Sequence, residues 1–481
     1  MAQGSNRFAI YLLIGRMFTM VASFIMPLVL VRFMSQSDYG VFSQFYTLYT
    51  AIYVILAFGL HTNIFYFYPT ATKKDADKYI SNTTVLLLLF GFIGGAIMYI
   101  PPVQSALFGD SELGKHIDFI IAAIMLATPM NIVSPLNTVR EDKWGAMLIP
   151  GFVAVMRILT VVGCTLVYND LHDLFKWLLF YQLFILVVVA IYSLRNVRFR
   201  MDWALAKTQM AYSIPFGCAV ALQLFSNYFD KFVCIKFLEP SEYAIYSVAF
   251  LSIPGITQVY DSLCQINIVN MTRSYRSGHK DEVAPQYQNF VVKTLSFSTP
   301  IILAVVIYAE EIMSFLYTDQ YVTSAPFFRI YSLTFLTSML GAGTILRSMG
   351  KTKASFLAFV ITCLVGLPAT YLLVSTYGNY GAIIGACINM ILPRLIQMIM
   401  ESRLLNMSLA SFLPWKQFAY ILLPAILLGA VFYTIKEIWH FNIWICIFES
   451  IVYVVLLYFL YIQRNIFIIN KTQLYKIFKR K

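Results

Sequence analysis

The segment Val31-Arg-Phe-Met-Ser-Gln-Ser-Asp-Tyr-Gly-Val-Phe-Ser43 recurs, without a gap, as Ile235-Lys-Phe-Leu-Glu-Pro-Ser-Glu-Tyr-Ala-Ile-Tyr-Ser247. Most mismatches exchange like for like: Arg32 with Lys236, Asp38 with Glu242, Gly40 with Ala244, Phe42 with Tyr246. A weaker echo pairs Leu126-Ala-Thr-Pro-Met130 with Leu336-Thr-Ser-Met339. The chain therefore contains an internal duplication, and a missed repeat would misassign the whole architecture.

Around these stretches the sequence is overwhelmingly apolar. Of 481 residues 59% are hydrophobic and 12% charged, too little polar surface to cover a soluble globule of this size. The class is a polytopic membrane protein. A hydrocarbon core about 30 Å thick needs roughly 20 apolar residues per helix, and on that template the chain divides into about fourteen spans. They lie near 8–33, 39–68, 80–101, 117–139, 144–168, 172–194, 208–236, 241–270, 290–317, 326–347, 353–375, 380–400, 414–435 and 439–462. The first apolar run continues to Phe33 with no small-residue cleavage site, so it reads as a retained span rather than a signal peptide.

Loop charge supports this division. With a cytoplasmic N-terminus, the inside segments hold 24 of the 35 lysines and arginines, whereas the outside loops clearly keep only Lys115 and Lys436. This is the positive-inside pattern, and an even number of spans places both termini in the cytoplasm. It also accounts for the net charge of +12. Nucleic-acid binding would need a clustered basic face with base readers, which is not seen. The seven cysteines sit singly in apolar runs and read as buried hydrophobes rather than disulfides or metal ligands.

The matching stretches close spans 1 and 7 and open spans 2 and 8. The expected organisation is an N-lobe over 1–200 and a C-lobe over 201–405, each of six helices, with two further helices and a basic tail over 406–481. The lobes should be related by a pseudo-two-fold along the membrane normal. The linker Arg195–Thr208, with Phe199, Trp203 and Leu205 among basic residues, is expected along the cytoplasmic interface, and the tail 463–481 reads as a second surface anchor. No loop exceeds about twenty residues on the span template, and phosphate-loop, kinase, hydrolase and HExxH motifs are missing. A glycosyltransferase or polymerase is thereby disfavoured, no cofactor is expected, and a duplicated bundle without soluble domains points to transport rather than enzymology.

Ionisable residues inside spans are costly in hydrocarbon and usually face a wet interior. The deepest are Arg16, Arg157, Asp261, Arg394 and Glu449, with Asp230 and Lys231 nearer an interface. Guanidinium stays charged when buried and binds phosphate oxygens in pairs, so a surplus of deep arginine favours an anionic headgroup. The alternative is that Arg16, Arg157 and Arg394 bridge helices through carbonyls or Asp261. For Asp230, Asp261 and Glu449 the choice lies between ion coupling and charge compensation. Asp230 and Lys231 are neighbours on one helix and do not face each other, so at most one of them faces the lumen. Tyr46, Tyr49 and Tyr53 form one stripe that suits either helix packing or a sugar-accepting wall. Prolines such as Pro27, Pro129, Pro135, Pro254 and Pro393 fall within spans and permit bends.

Asp230-Lys-Phe232, the two repeated stretches, Gly350-Lys-Thr-Lys353 and Tyr380-Gly-Ala-Ile-Ile-Gly-Ala386, taken in order, resemble the polysaccharide-export branch of the MOP exporter superfamily, in particular its O-antigen and capsule repeat-unit flippases. Ala244 departs from the glycine that many relatives carry, which bears on packing. The resemblance implies export of an undecaprenyl-diphosphate-linked oligosaccharide across the bacterial cytoplasmic membrane, coupled to protons or sodium. It implies membrane lipids and the polysaccharide polymerase and chain-length machinery as partners. On that reading Arg16, Arg157, Arg394 and Lys231 are the candidate diphosphate ligands, and Asp230, Asp261 and Glu449 the ion-coupling candidates. A multidrug or cation antiporter of the same superfamily and a lipid II flippase are the competing readings.

Overall fold

The computed structural model describes residues 2–464 other than 110, 169, 252, 254, 440 and 441, so Pro254 and the basic tail from 465 onward lie outside the described residues. The described residues are all-helical, joined by turns and short extended segments.

The quoted repeat is where local chemistry is clearest. Ser35 caps the Gln36–Leu56 helix by accepting the Asp38 N–H, and its hydroxyl donates to the Asp38 carboxylate at 2.6 Å. In the second copy the Glu242 carboxylate accepts the backbone N–H of Glu239 at 3.2 Å, and Pro240 opens the Pro240–Val248 helix. Proline at the first helical position gives up a donor that would be unpaired in any case. The Asp38/Glu242 exchange thus keeps an acid in the first turn, bonded in each copy to the residue three before it. The copies also touch: a Cβ on Gly40 would fall 1.8 Å from the Pro240 carbonyl oxygen.

Nine helices among the described residues are long and apolar enough to cross a membrane, or ten if Gln36–Leu56 and Leu60–Phe67, bent by 44°, make one span. The expected count of about fourteen is not reached by this criterion, for identifiable reasons. Spans 11 and 12 run on as Lys353–Leu404, with a break at Gly378, whose φ of 55° favours glycine. The eighth expected span is split into Pro240–Val248 and Ile256–Arg276, and the second piece carries Gln258, Asp261, Gln265, Asn267 and Asn270. The tenth is interrupted at Gly341 and Gly343, both at positive φ, between Ala325–Ser338 and Thr344–Ser348. The seventh, Trp203–Phe237, carries Lys207, Asp230, Lys231 and Lys236 towards its ends, and its uncharged middle holds the polar Gln209, Gln223 and Asn227.

The chain divides into two compact units, Met1–Ser247 with Thr370–Ala382, and Val248–Ala369 with Ile383–Lys481. Contacts thus group Trp203–Phe237 with the first unit, where the expected boundary at residue 200 assigns it to the C-lobe. Trp203–Phe237 packs within the first unit against Gln36–Leu56 and Lys73–Met98, and Gly217 lies so close to Phe58 that a Cβ would come within 2.1 Å of its carbonyl oxygen.

The start of that helix is held by a polar clamp. The backbone N–H groups of Arg198, Arg200 and Asp202 donate in turn to Asp77 Oδ2 (3.3 Å), Ser81 Oγ (3.2 Å) and Asn82 Oδ1 (3.0 Å). Lys78 pairs with Asp202 at 2.9 Å, and buried Gln209 reaches Asn63 Oδ1, Thr83 Oγ1 and the Tyr79 carbonyl. An extended strap is thus laid on a helix face, every second N–H satisfied, while Phe199 and Trp203 remain exposed.

In the second unit Trp415–Trp439 and Ile443–Gln463 pack on Val283–Ile307. Tyr453 donates to the Ala425 carbonyl at 2.8 Å, and buried Lys436 pairs with Glu311 at 2.9 Å. The two helices expected to stand apart are thus part of this unit.

Candidate functional site

The first unit holds a cavity of about 570 Å³ whose polar lining includes Arg16, Tyr53, His61, Asn131 and Asn137. Each wall has a local cause. Gly15 permits the Ala2–Phe33 helix to approach Lys143–Val167 so closely that a Cβ would lie 2.2 Å from the Ala146 carbonyl oxygen, and the next residue, Arg16, stands exposed at the cavity. Gly59, at φ 65°, ends the run of Tyr53 and opens the short Leu60–Asn63 turn that carries His61. Pro129 lies in the Thr128–Ile132 turn that carries Asn131, whose side-chain amide donates to the Thr128 carbonyl at 2.9 Å.

Arg157 is the second cation of this unit. Its Nη1 donates to the Tyr46 hydroxyl at 2.6 Å and its Nη2 to Ser23 Oγ at 3.4 Å, and its carbon centre lies 5.7 Å from the Tyr46 ring centroid. Its Nε is buried with no partner among the described residues. Arg157 follows Ala146 by eleven positions, about 16 Å along a helix axis. The distance is bridged by aromatic contacts: Tyr46 to Tyr49 at 5.6 Å and Tyr49 to Tyr53 at 5.7 Å between ring centroids. Tyr53 then joins the lining that contains Arg16. Among the described residues neither arginine has a carboxylate partner, and Arg16 makes no hydrogen bond. At Arg157 the charge is held by hydroxyls and a ring rather than cancelled.

The remaining candidates are placed differently. Asp230 is buried, accepts the Tyr246 hydroxyl at 2.5 Å, and lies 3.4 Å from Lys231 Nζ. The two backbones do not face each other, but the lysine stem curls back so that its ammonium meets its neighbour. In the second unit Arg394 donates to the Met390 carbonyl at 2.6 Å and lies 3.5 Å from Thr337 Oγ1, the helix-bridging geometry. Asp261 is exposed and has no hydrogen bond or ion pair among the described residues, so it does not pair with Arg394. Glu449 accepts the Tyr308 hydroxyl at 3.0 Å.

Sequence reasoning passed over the buried charges Glu401 and Lys436, as well as Asp77 of the clamp. Glu401, fully buried, accepts the backbone N–H groups of Ile345 (2.8 Å) and Leu346 (3.1 Å) through Oε1, while Oε2 has no partner among the described residues. Two nearby glycines, Gly341 and Gly343, signalled a broken span whose exposed N–H groups would need an acceptor. Lys436 was assigned to an outer loop; the adjacent acids Glu310 and Glu311 were the available sign of a buried pair.

Comparison with known proteins bears on family and fold. A family model described as polysaccharide biosynthesis protein matches residues 29–326. Among solved structures, lipid II flippase MurJ in an inward closed conformation is 13% identical with a TM-score of 0.70, the match covering 94% of this chain and 100% of that one. An inward-facing multidrug resistance MATE family transporter of the MOP superfamily is 14% identical with a TM-score of 0.53, covering 82% and 94%. A Vibrio cholerae MATE transporter is 12% identical with a TM-score of 0.54, covering 84% and 98%. At these identities the likeness is one of fold. Among curated proteins no sequence matches the chain.

Proposed function

Because the chain belongs to the polysaccharide biosynthesis protein family and has the fold of the MOP-superfamily transporters, we propose that it is a flippase for a polyprenyl-diphosphate-linked oligosaccharide. The substrate is an undecaprenyl-diphosphate-linked repeat unit, moved across the bacterial cytoplasmic membrane by alternating access and driven by a proton or sodium gradient. The observation that carries this reading is the pair Arg16 and Arg157, free of carboxylate partners among the described residues and linked by a tyrosine ladder to one cavity. Guanidinium groups meet diphosphate oxygens through paired, charge-assisted hydrogen bonds, and tyrosine faces suit sugar rings. Lys231 in the first unit and Arg394 in the second are the other cations that the reading assigns to the diphosphate. Asp230, Asp261 and Glu449 are the carboxylates on which coupling would act.

The lipid II reading shares this phosphate chemistry and is favoured by the MurJ fold match. The family description favours a polysaccharide precursor. A cationic-drug antiporter fits less well, because a basic cavity repels its cargo.

Arg16→Ala tests the site with little risk to folding, since the side chain is exposed and makes no hydrogen bond among the described residues. Losing a charged hydrogen-bond partner costs about 1.5–3 kcal/mol, so export at matched protein level is expected to fall about tenfold or more. Unchanged export from this variant would remove Arg16 from the substrate path.

A further inference from the structure

A second and larger cavity lies in the first unit, about 810 Å³, at the end of the helices that loop charge assigns to the cytoplasm. Three connections form its walls: Tyr68 to Lys73, Val139 to Asp142, and Arg195 with Asn196. Its charged lining is Lys73, Arg140 and Arg195 against Asp77 and Asp142.

Both acids are already committed. Asp142 accepts the Tyr192 hydroxyl, Arg195 Nη2 at 2.7 Å and the Gly145 N–H at 3.0 Å. Partial burial pushes its carboxyl upward, but the Tyr192 hydroxyl, the Gly145 N–H and the neighbouring arginines outweigh this and hold it below the ordinary carboxylate range. Asp77 accepts the backbone N–H of Arg198.

The cations are not used up in the same way. Arg195 lies over the Tyr192 ring at 4.0 Å and spends Nη2 on Asp142 and Tyr192. Arg140 spends Nη1 on the Ser193 carbonyl at 2.9 Å and has no carboxylate partner among the described residues. Lys73, exposed, has neither hydrogen bond nor ion pair among the described residues. Two guanidinium groups held by protein partners and an ammonium unpaired among the described residues thus line one volume, with Asp142 paired to Arg195 and Asp77 held by a backbone N–H. Fixed guanidinium planes match tetrahedral oxyanions, and a flexible ammonium adds a point charge. Basic pockets at this level of a membrane protein recognise phosphate-bearing headgroups, and the volume falls in the range that encloses a small ligand.

We propose that this cavity is a binding site for a phosphate-bearing group, held by Lys73, Arg140 and Arg195 and separate from the cavity at Arg16. The same chemistry is offered by an anionic lipid headgroup and by a soluble phosphate compound. The site does not depend on the transport reading, because its test is binding.

The full-length chain is purified, and binding of phosphatidylglycerol, with diacylglycerol as the phosphate-free control, is measured by native mass spectrometry with and without inorganic pyrophosphate. Wild-type protein should retain phosphatidylglycerol at least tenfold better than diacylglycerol, or bind pyrophosphate directly. The Lys73→Gln/Arg140→Gln double variant should lose about tenfold, with recovery when Arg140→Lys replaces Arg140→Gln. Lys73→Gln alone, which breaks no contact among the described residues, should lose a measurable part without a change in melting temperature. Phosphatidylglycerol binding that pyrophosphate does not displace identifies a membrane lipid as the source. Pyrophosphate binding without lipid selectivity identifies a soluble phosphate compound, and mutual competition identifies the phosphate group itself as what is read. Retention of both probes at wild-type levels by the double variant, or binding of neither probe by the wild type, would overturn the proposal.

Discussion

Arg157→Ala is expected to leave the protein in the membrane while reducing export of the lipid-linked glycan by ten- to a hundred-fold. The two effects separate because the guanidinium spends its fold contacts on hydroxyls, Tyr46 at 2.6 Å and Ser23 at 3.4 Å, which can find other partners. The folding cost is then about 1 kcal/mol, against a native stability of about 5–15 kcal/mol. A diphosphate bound by the same group loses a charge-assisted contact of about 1.5–3 kcal/mol. Arg157→Lys keeps the charge without the planar fork and should fall between alanine and wild type. Surface glycan quantified at matched protein level decides the matter. If Arg157→Ala exports normally, Arg157 is a helix bridge and the ladder of Tyr46, Tyr49 and Tyr53 is packing.

Gly40→Val is expected to destabilise the folded protein strongly. Even the Cβ of alanine would sit 1.8 Å from the Pro240 carbonyl oxygen and 2.4 Å from its carbon, and these are backbone atoms that cannot rotate aside. The Pro240–Val248 helix would have to be displaced, and with it Tyr246, which donates to buried Asp230. Overpacking a tight contact costs about 1–3 kcal/mol, and more where backbone must move. The counterpart change Ala244→Gly removes a buried methyl and adds chain entropy, for about 1 kcal/mol. Extracted Gly40→Val protein should melt several degrees lower or fail to accumulate, whereas Ala244→Gly should resemble wild type. A Gly40→Val protein that melts with the wild type would mean that the two repeats do not touch.

That contact explains why so much was legible from sequence. The repeat was visible because Asp38 and Glu242 each bond the residue three before them at a helix entry, and because the first copy must stay small where the second lies against it. The membrane class followed from composition, and the arginine surplus from the scarcity of acids in the same spans. What stayed hidden depends on contacts between residues far apart in the chain. Gln209 meets Asn63 and Thr83, and Asp202 meets Lys78 and Asn82, through single polar residues that follow no period. Their pairing draws Trp203–Phe237 into the first unit, although duplication alone groups it with the later helices. The count of about fourteen spans is not confirmed, for a local reason: a break at Gly343 or Gly378 leaves hydropathy almost unchanged while ending or redirecting a helix. Asp261 reads as deep by residue count; its helix begins at Ile256, and its side chain is exposed.

The most direct test of the central claim is to remove the gene and identify the polyprenyl-linked glycans that accumulate, together with the leaflet in which they lie. The account predicts a complete, unpolymerised repeat unit held on a diphosphate lipid at the inner leaflet, with surface polysaccharide lost and both reversed by the intact gene. Unchanged lipid-linked pools and surface glycan, with drug sensitivity raised instead, would contradict it and assign the fold to an antiporter.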